Sequence, residues 1–393
     1  MTEDNTAHAA HETAGPDQAS LEELVDQKLG ASIEAHVPVG SLLRVPEIVS
    51  RARELVDQNG LLSQFATRSA HPDRLWVHLS NAPLPNSVLS RLTLAREKFP
   101  TLYDHSLRAA FVALFIGVGA RLGERELELL ATAALMHDFG MLHADPARFE
   151  NDRPLDAAAR RQLRAHPLIG MLIAQREPKL NPAIATAILQ HHERLDGSGY
   201  PSAPPADQLT RLARVLILVE VVLAMAEHRP HLPELQLSLI LRANHRGFDR
   251  ELTSVVLAAL PRIEVEAGPA TQSEDSAAKL AQLLGDWEQA KPGKPTRLIA
   301  EARRFVSDRL TQLQRFLTEA GIDLHDTRPL EDPAARAERD GLLCEALWHV
   351  RQIAFETTMR WPHLAAADTE KPDDAALSEW LRAAAQLAAA NSA

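Results

Sequence analysis

The stretch whose reading decides the fold is His-His-Glu-Arg-Leu-Asp-Gly-Ser-Gly-Tyr-Pro, residues 191–201. Adjacent imidazoles can face one metal centre. Asp196, Gly197, Ser198, Gly199 and Pro201 stop a helix and force a tight, shaped loop. By itself the stretch is half of a metal site at a helix end, and its partners must come from elsewhere in the chain.

Residues 182–193 read as the helix that delivers His191 and His192 into this loop. Upstream, Leu107, Ala110, Phe111, Leu114, Phe115, Val118 and Leu122 recur at three-to-four spacing, so His105 opens an amphipathic helix that Gly123 ends. The next helix finishes on His137, Asp138, Phe139 and Gly140. Residues 156–175 form another helix, carrying His166 just before Pro167. Downstream, 210–228 is apolar on almost every face, with Glu220 near its middle, and 248–260 closes the region. No strand is needed here.

Five histidines and two carboxylates thus lie on or beside otherwise apolar helices: His105, His137, Asp138, His166, His191, His192 and Glu220. A buried charge without a partner is expensive, most plainly for Glu220. Singly, His105 or His166 reads as an ordinary capping or surface residue. Jointly, the seven suit iron, manganese or zinc, and they suffice for two metals sharing a bridging carboxylate, an arrangement that activates water and clamps a phosphate.

Taken in this order, His105, H-D-F-G at 137–140, A-H-P at 165–167 and the stretch from His191 resemble the HD-GYP family, a branch of the HD superfamily of metal-dependent phosphohydrolases. The resemblance covers roughly residues 100–260. It implies an all-α fold with a binuclear centre of two divalent metal ions, iron or manganese, and hydrolysis of cyclic di-GMP to pGpG or GMP in bacterial signalling. By the same resemblance His105, His137, Asp138, His166, His191, His192 and Glu220 are the metal ligands. Asp138 is the bridging carboxylate, and His137 and Asp138 help hold the metals that activate the attacking hydroxide. Arg229 contacts substrate, and Asp196, Gly197, Gly199 and Tyr200 shape the substrate side of the loop. The loop 197–201 is also implied as a docking point for GGDEF-type cyclase domains. Glu220 stands where the family has aspartate, Met141 where it has lysine, and Leu223 and Leu232 where it has an aspartate and a basic residue. Thr101 replaces an acidic residue that would serve a third metal. Met141 and Leu232 leave two further readings open: a metal-holding cyclic di-GMP receptor of low turnover, and a phosphohydrolase for another nucleotide.

The flanks are less informative. Residues 1–20 are polar and read as a disordered tail. Residues 21–95 form a small N-terminal module of unknown fold, in which 47–59 is a helix stopped by Gly60 and 75–79 a strand. The Pro- and Gly-containing stretch 266–297 is a linker after a domain at 96–265. Residues 298–393 form a C-terminal helical region, with helices at 298–321, 334–358 and 374–390. Its Ala- and Leu-rich helices can make a homodimer, and ordinary core packing accounts for them equally well.

Of the 393 residues, 45% are apolar and only 4% aromatic, and the net charge is −11. That charge excludes a general duplex nucleic-acid binder, which needs a basic face. The single cysteine, Cys344, excludes a disulfide framework. The acidic start lacks the apolar core of a signal peptide, and the apolar runs fall short of the roughly 20 residues of a membrane span. A cytoplasmic protein is expected.

Overall fold

The helix Pro100–Gly119 has almost no face for solvent: Leu107, Val118 and every residue from 109 to 116 are buried. Such a helix is stable only when surrounded by others, and the architecture follows from that requirement. The computed structural model describes residues 42–143, 157–228, 233–261, 271–289, 296–326, 332–361, 364 and 375–389. The element order is α1 (Val45–Asp57), α2 (Gly60–Arg68), α3 (Pro72–Ser80), α4 (Asn86–Lys98), α5 (Pro100–Gly119), α6 (Glu124–Met136), a 3-10 turn (Phe139–His143), α7 (Ala157–Gln175), α8 (Pro182–Gln190), α9 (Arg211–His228), α10 (Pro233–Ala243), α11 (Arg250–Ala259), α12 (Thr271–Gln289), α13 (Arg297–Glu319), α14 (Pro333–Arg360) and α15 (Ala375–Ala389). The fold is all-α, with no strand among the described residues.

Helices α1–α4, α6, α9 and α11 pack around α5. One apolar core runs without interruption from Leu43 to Ala259, so the described part of the expected N-terminal module shares its core with the central helices. Its cement includes the stacked rings of Phe65 and Phe115, 4.7 Å apart. A second core, with Leu283, Val306, Leu310, Leu343, Ile353 and Trp380, joins α12–α15. Helix α14 reaches across to α10 and α7 and ties the two together.

Several local expectations need correction. Residues 75–79, expected as a strand, lie inside α3, with Leu75, His78 and Leu79 buried at i, i+3 and i+4. Burying two leucines contributes about 2 kcal/mol each, more than the roughly 1 kcal/mol span of strand propensity. Gly60 begins a helix instead of ending one: α1 stops at Asp57, and the Asn59 side chain caps α2 by accepting from Leu62 N at 3.1 Å. His105 sits more than a turn inside α5, which starts at Pro100. Helix α8 stops at Gln190, so His191 and His192 occupy the turn after it. The expected linker 266–297 contains helix α12, packed into the second core. The expected tail 1–20 lies outside the described residues, and no described helix is long and apolar enough to cross a membrane.

Candidate metal centre

Five elements converge on one point. Helix α5 supplies His105, the end of α6 supplies His137 and Asp138, α7 supplies His166, the turn after α8 supplies His191 and His192, and α9 supplies Glu220. Helix ends matter here because the last carbonyls of a helix lack intrahelical donors. His137 Nδ1 donates to Ala134 O at 2.7 Å and His191 Nδ1 to Ile188 O at 2.5 Å, both in last turns. His166 achieves the same inside α7: Pro167 has no N–H for the Leu163 carbonyl, and His166 Nδ1 donates to that carbonyl at 2.5 Å. His105 Nδ1 donates to Glu227 Oε2 at 3.0 Å.

These four bonds settle the ring geometry. A carbonyl or carboxylate oxygen only accepts, so Nδ1 carries the proton and Nε2 of each neutral ring carries the lone pair. The lone pairs face one another. His166 Nε2 is 3.0 Å from His191 Nε2, and His105 Nε2 is 3.2 Å from His137 Nε2. Asp138 lies between the two pairs: Oδ1 is 3.1 Å from His166 Nε2 and 3.6 Å from His191 Nε2. Its Oδ2 is 3.7 Å from His105 Nε2 and 3.6 Å from His137 Nε2. Glu220 Oε1 is 3.1 Å from His137 Nε2, and Oε2 is 4.0 Å from His192 Nε2. Asp138 Oδ1 and Glu220 Oε1 are buried yet accept no hydrogen bond.

Such a cluster of inward lone pairs calls for positive charge. Burial works to keep His137 neutral, but the Asp138 and Glu220 carboxylates outweigh it and raise its pKa to about 9. Burial and the adjacent His191 push His192 well below its ordinary value. Asp138 resists the upward push of burial because His137 and His166 hold its carboxyl well below the usual range. The donors form two groups, each with its ligand atoms within 4.8 Å of one another: His105, His137 and Glu220, and Asp138, His166, His191 and His192. The donor set therefore fits two cations, with Asp138 turning one oxygen to each group.

Close backbone approach holds this arrangement. A Cβ on Gly140 would come within 2.1 Å of His166 O, so only glycine lets the 3-10 turn lie on α7. The loop after His192 is built around Glu193, whose buried carboxylate accepts from Ser202 N at 2.7 Å and Ala203 N at 3.1 Å. Tyr200 lies stacked on His192, ring centroids 4.8 Å apart, and is 7% exposed. Asp196 accepts from Ser198 N and pairs with Arg309, while the carbonyls of Gly197 and Gly199 accept from Arg360. Thus the loop residues expected on the substrate side are engaged by their own chain. Met141 sits in the turn directly after His137 and Asp138, its N–H donating to Asp138 O at 2.8 Å. Arg229 and Leu232 lie outside the described residues.

The sequence reading missed Glu227. It lies seven residues after Glu220, two turns along α9, where its carboxylate accepts the hydrogen bond from His105 Nδ1 and pairs with Arg108 at 3.0 Å. An acidic residue at i+7 from a proposed ligand, near the end of an apolar helix, was the available signal.

Residues 102–225 match the HD domain family. Among curated proteins, the chain is 26% identical over 243 residues to the 3'3'-cGAMP-specific phosphodiesterase 3 of Vibrio cholerae, covering 58% of this chain and 52% of that protein. It is 29% identical to the cyclic di-GMP phosphodiesterase PA4108 of Pseudomonas aeruginosa, covering 42% and 40%. It is 28% identical to the cyclic di-GMP phosphodiesterase response regulator RpfG of Xanthomonas campestris, covering 32% and 33%. The chain thus spans between a third and about half the length of these relatives.

Proposed function

Taking as premise that this chain is an HD-domain protein of the HD-GYP type, we propose that it is a metal-dependent phosphodiesterase that hydrolyses cyclic di-GMP to pGpG or GMP. The observation that carries the reading is the pair of opposed Nε2 contacts, at 3.0 and 3.2 Å, beside two buried carboxylate oxygens without donors. His105, His137 and Glu220 would hold one ion, and His166, His191 and His192 a second, with Asp138 shared. Iron or manganese suits this mixed imidazole and carboxylate set. Two such ions supply positive charge that polarises a phosphodiester and makes water a stronger nucleophile.

The chain's own residues keep that centre in shape. The four Nδ1–H bonds hold the rings with Nε2 inward, as is usual for metal-ligating histidine. Burial raises the Tyr200 hydroxyl well above its ordinary pKa, so it stays a neutral donor beside His192. Arg229 would contact the substrate by family resemblance. The same resemblance supports a cytoplasmic signalling role and, as a partner at loop 197–201, a GGDEF-type cyclase domain; a homodimer would form through the C-terminal helices.

A second reading is favoured by Met141: a cyclic di-GMP receptor that keeps its metals and turns over slowly. A preorganised cation near the scissile phosphate is worth on the order of 100-fold in rate, and thioether cannot supply it. The test is to load purified protein anaerobically with Fe(II) or Mn(II) and follow cyclic di-GMP, with cyclic GMP-AMP alongside, by chromatography. Conversion that is lost in His137→Ala and rises about 10-fold or more in Met141→Lys supports the enzyme. Metal and substrate both bound, with no product, rejects it in favour of the receptor.

A further inference from the structure

The turn at residues 196–199 reverses the chain with Gly197 at φ 73° and leaves its outward carbonyls needing donors. The donors come from more than a hundred residues away. Arg360, the last residue of α14, donates through Nη2 to Gly197 O and to Gly199 O, the latter at 3.3 Å. Its guanidinium is held over the ring of Phe305, 5.0 Å from the centroid. Arg309 of α13 bridges two carboxylates, donating to Asp196 Oδ2 at 2.9 Å and to Glu356 Oε2 at 3.2 Å. Arg309 and Glu356 are 12% exposed and Asp196 18%, so this triad is withdrawn from water. Desolvation makes such a triad a poor source of stability and a good way to fix one register between two surfaces.

The same end of α14 is held from the other side. Arg164, two residues before His166, donates through Nη1 to Met359 O and to Arg360 O, the latter at 3.1 Å. These are last-turn carbonyls that the helix itself leaves open. The tip of α14 is therefore wedged between the segment bearing His166 and the loop that follows His192. The loop continues into Tyr200, whose ring lies on His192 and whose N–H donates to His192 O at 3.1 Å.

We propose that Arg309 and Arg360 are positioning residues for the metal centre: from the C-terminal bundle they hold the turn 196–199 and so keep Tyr200 stacked on His192. The proposal rests on the reading of His192 as a ligand. It gives the C-terminal bundle a role in completing the site within one chain. It also means that the outer face of the turn is covered by the chain itself, so a protein partner reaches it only by displacing Arg360.

The test uses the full chain, with Arg309→Met, Arg360→Met and the corresponding lysine variants. Trypsin cleavage after Arg194, read by mass spectrometry, reports opening of the loop, and cyclic di-GMP binding reports the site. Both methionine variants are expected to stay folded, to be cut after Arg194 about 10-fold faster because the loop opens locally, and to bind cyclic di-GMP about 10-fold more weakly, as loss of outer support for a ligand does. The lysine variants recover part of both, because one donor is restored. A folded double methionine variant with wild-type cleavage after Arg194 overturns the proposal. If the variants do not fold, hydrogen exchange of the wild type decides: amides 197–200 opening together with the end of α14 support the proposal, and opening independently of it overturns it. A wild type that binds no cyclic di-GMP defeats the functional reading, and the cleavage and exchange arms still decide this one.

Discussion

His166 and His191 face each other Nε2 to Nε2 at 3.0 Å while each donates its Nδ1 proton to a backbone carbonyl three residues upstream. Neutral rings so arranged repel unless a cation lies at their lone pairs. Metal should therefore stabilise the folded chain, by about 4 kcal/mol when free metal exceeds its dissociation constant a thousandfold. The expected outcome is a melting temperature that drops on complete chelation and returns with Mn(II). An unchanged melting temperature in verified metal-free protein counts against the site.

Glu227 orients His105 and is itself paired with Arg108. Removing such a support typically weakens metal affinity 10- to 100-fold, so Glu227→Ala should lose affinity by about that factor. Glu227→Gln keeps an acceptor for the Nδ1 proton and should lose less. Equal metal affinity in wild type and Glu227→Ala, measured by competition with a chelating dye, would remove Glu227 from the account.

Gly140 lets the 3-10 turn touch α7, and an added Cβ would sit 2.1 Å from His166 O. Backbone does not yield as a side-chain tip does. Gly140→Ala should cost about 1–3 kcal/mol and displace Asp138 from His166. Denaturation with and without metal checks both effects, and a variant as stable as wild type that retains two metals contradicts the packing argument.

His349 lies at the junction of the two cores, its Nε2 accepting from Asn244 Nδ2 at 2.6 Å. Burial, with Arg309 nearby adding to it, lowers its pKa from 6.5 to about 3. The group is neutral in both states above about pH 6.5, so it contributes no pH dependence there. Between about pH 6.5 and pH 3 the unfolded chain takes up a proton that the folded chain refuses. Stability then falls with falling pH by up to about 1.4 kcal/mol per unit. His349→Gln should flatten the pH dependence of denaturation between pH 6.5 and 5 relative to wild type; parallel curves would refute this assignment.

The cluster was legible because its proposed ligands announce themselves. Glu220 and the histidines interrupt apolar helices, and the loop from His191 is dense in residues that only a turn wants. Glu227 was not, since one more acid near a helix end has an ordinary solvent reading until the fold brings His105 beside it. The run 75–79 is mostly apolar and too short to separate strand from helix, and burial of Leu75 and Leu79 on one face decided it. Helix α12 was obscured by the Pro and Gly residues on both sides of it. The arginine contacts to the turn join residues 113 and 163 positions apart, a separation that no local pattern encodes.

The most direct test of the central claim is anomalous diffraction from crystals of the full chain grown with Mn(II). The account predicts two peaks, one among His105, His137 and Glu220 and one among His166, His191 and His192, with Asp138 between them. A single peak elsewhere, or no peak at a centre that retains this side-chain arrangement, would contradict it.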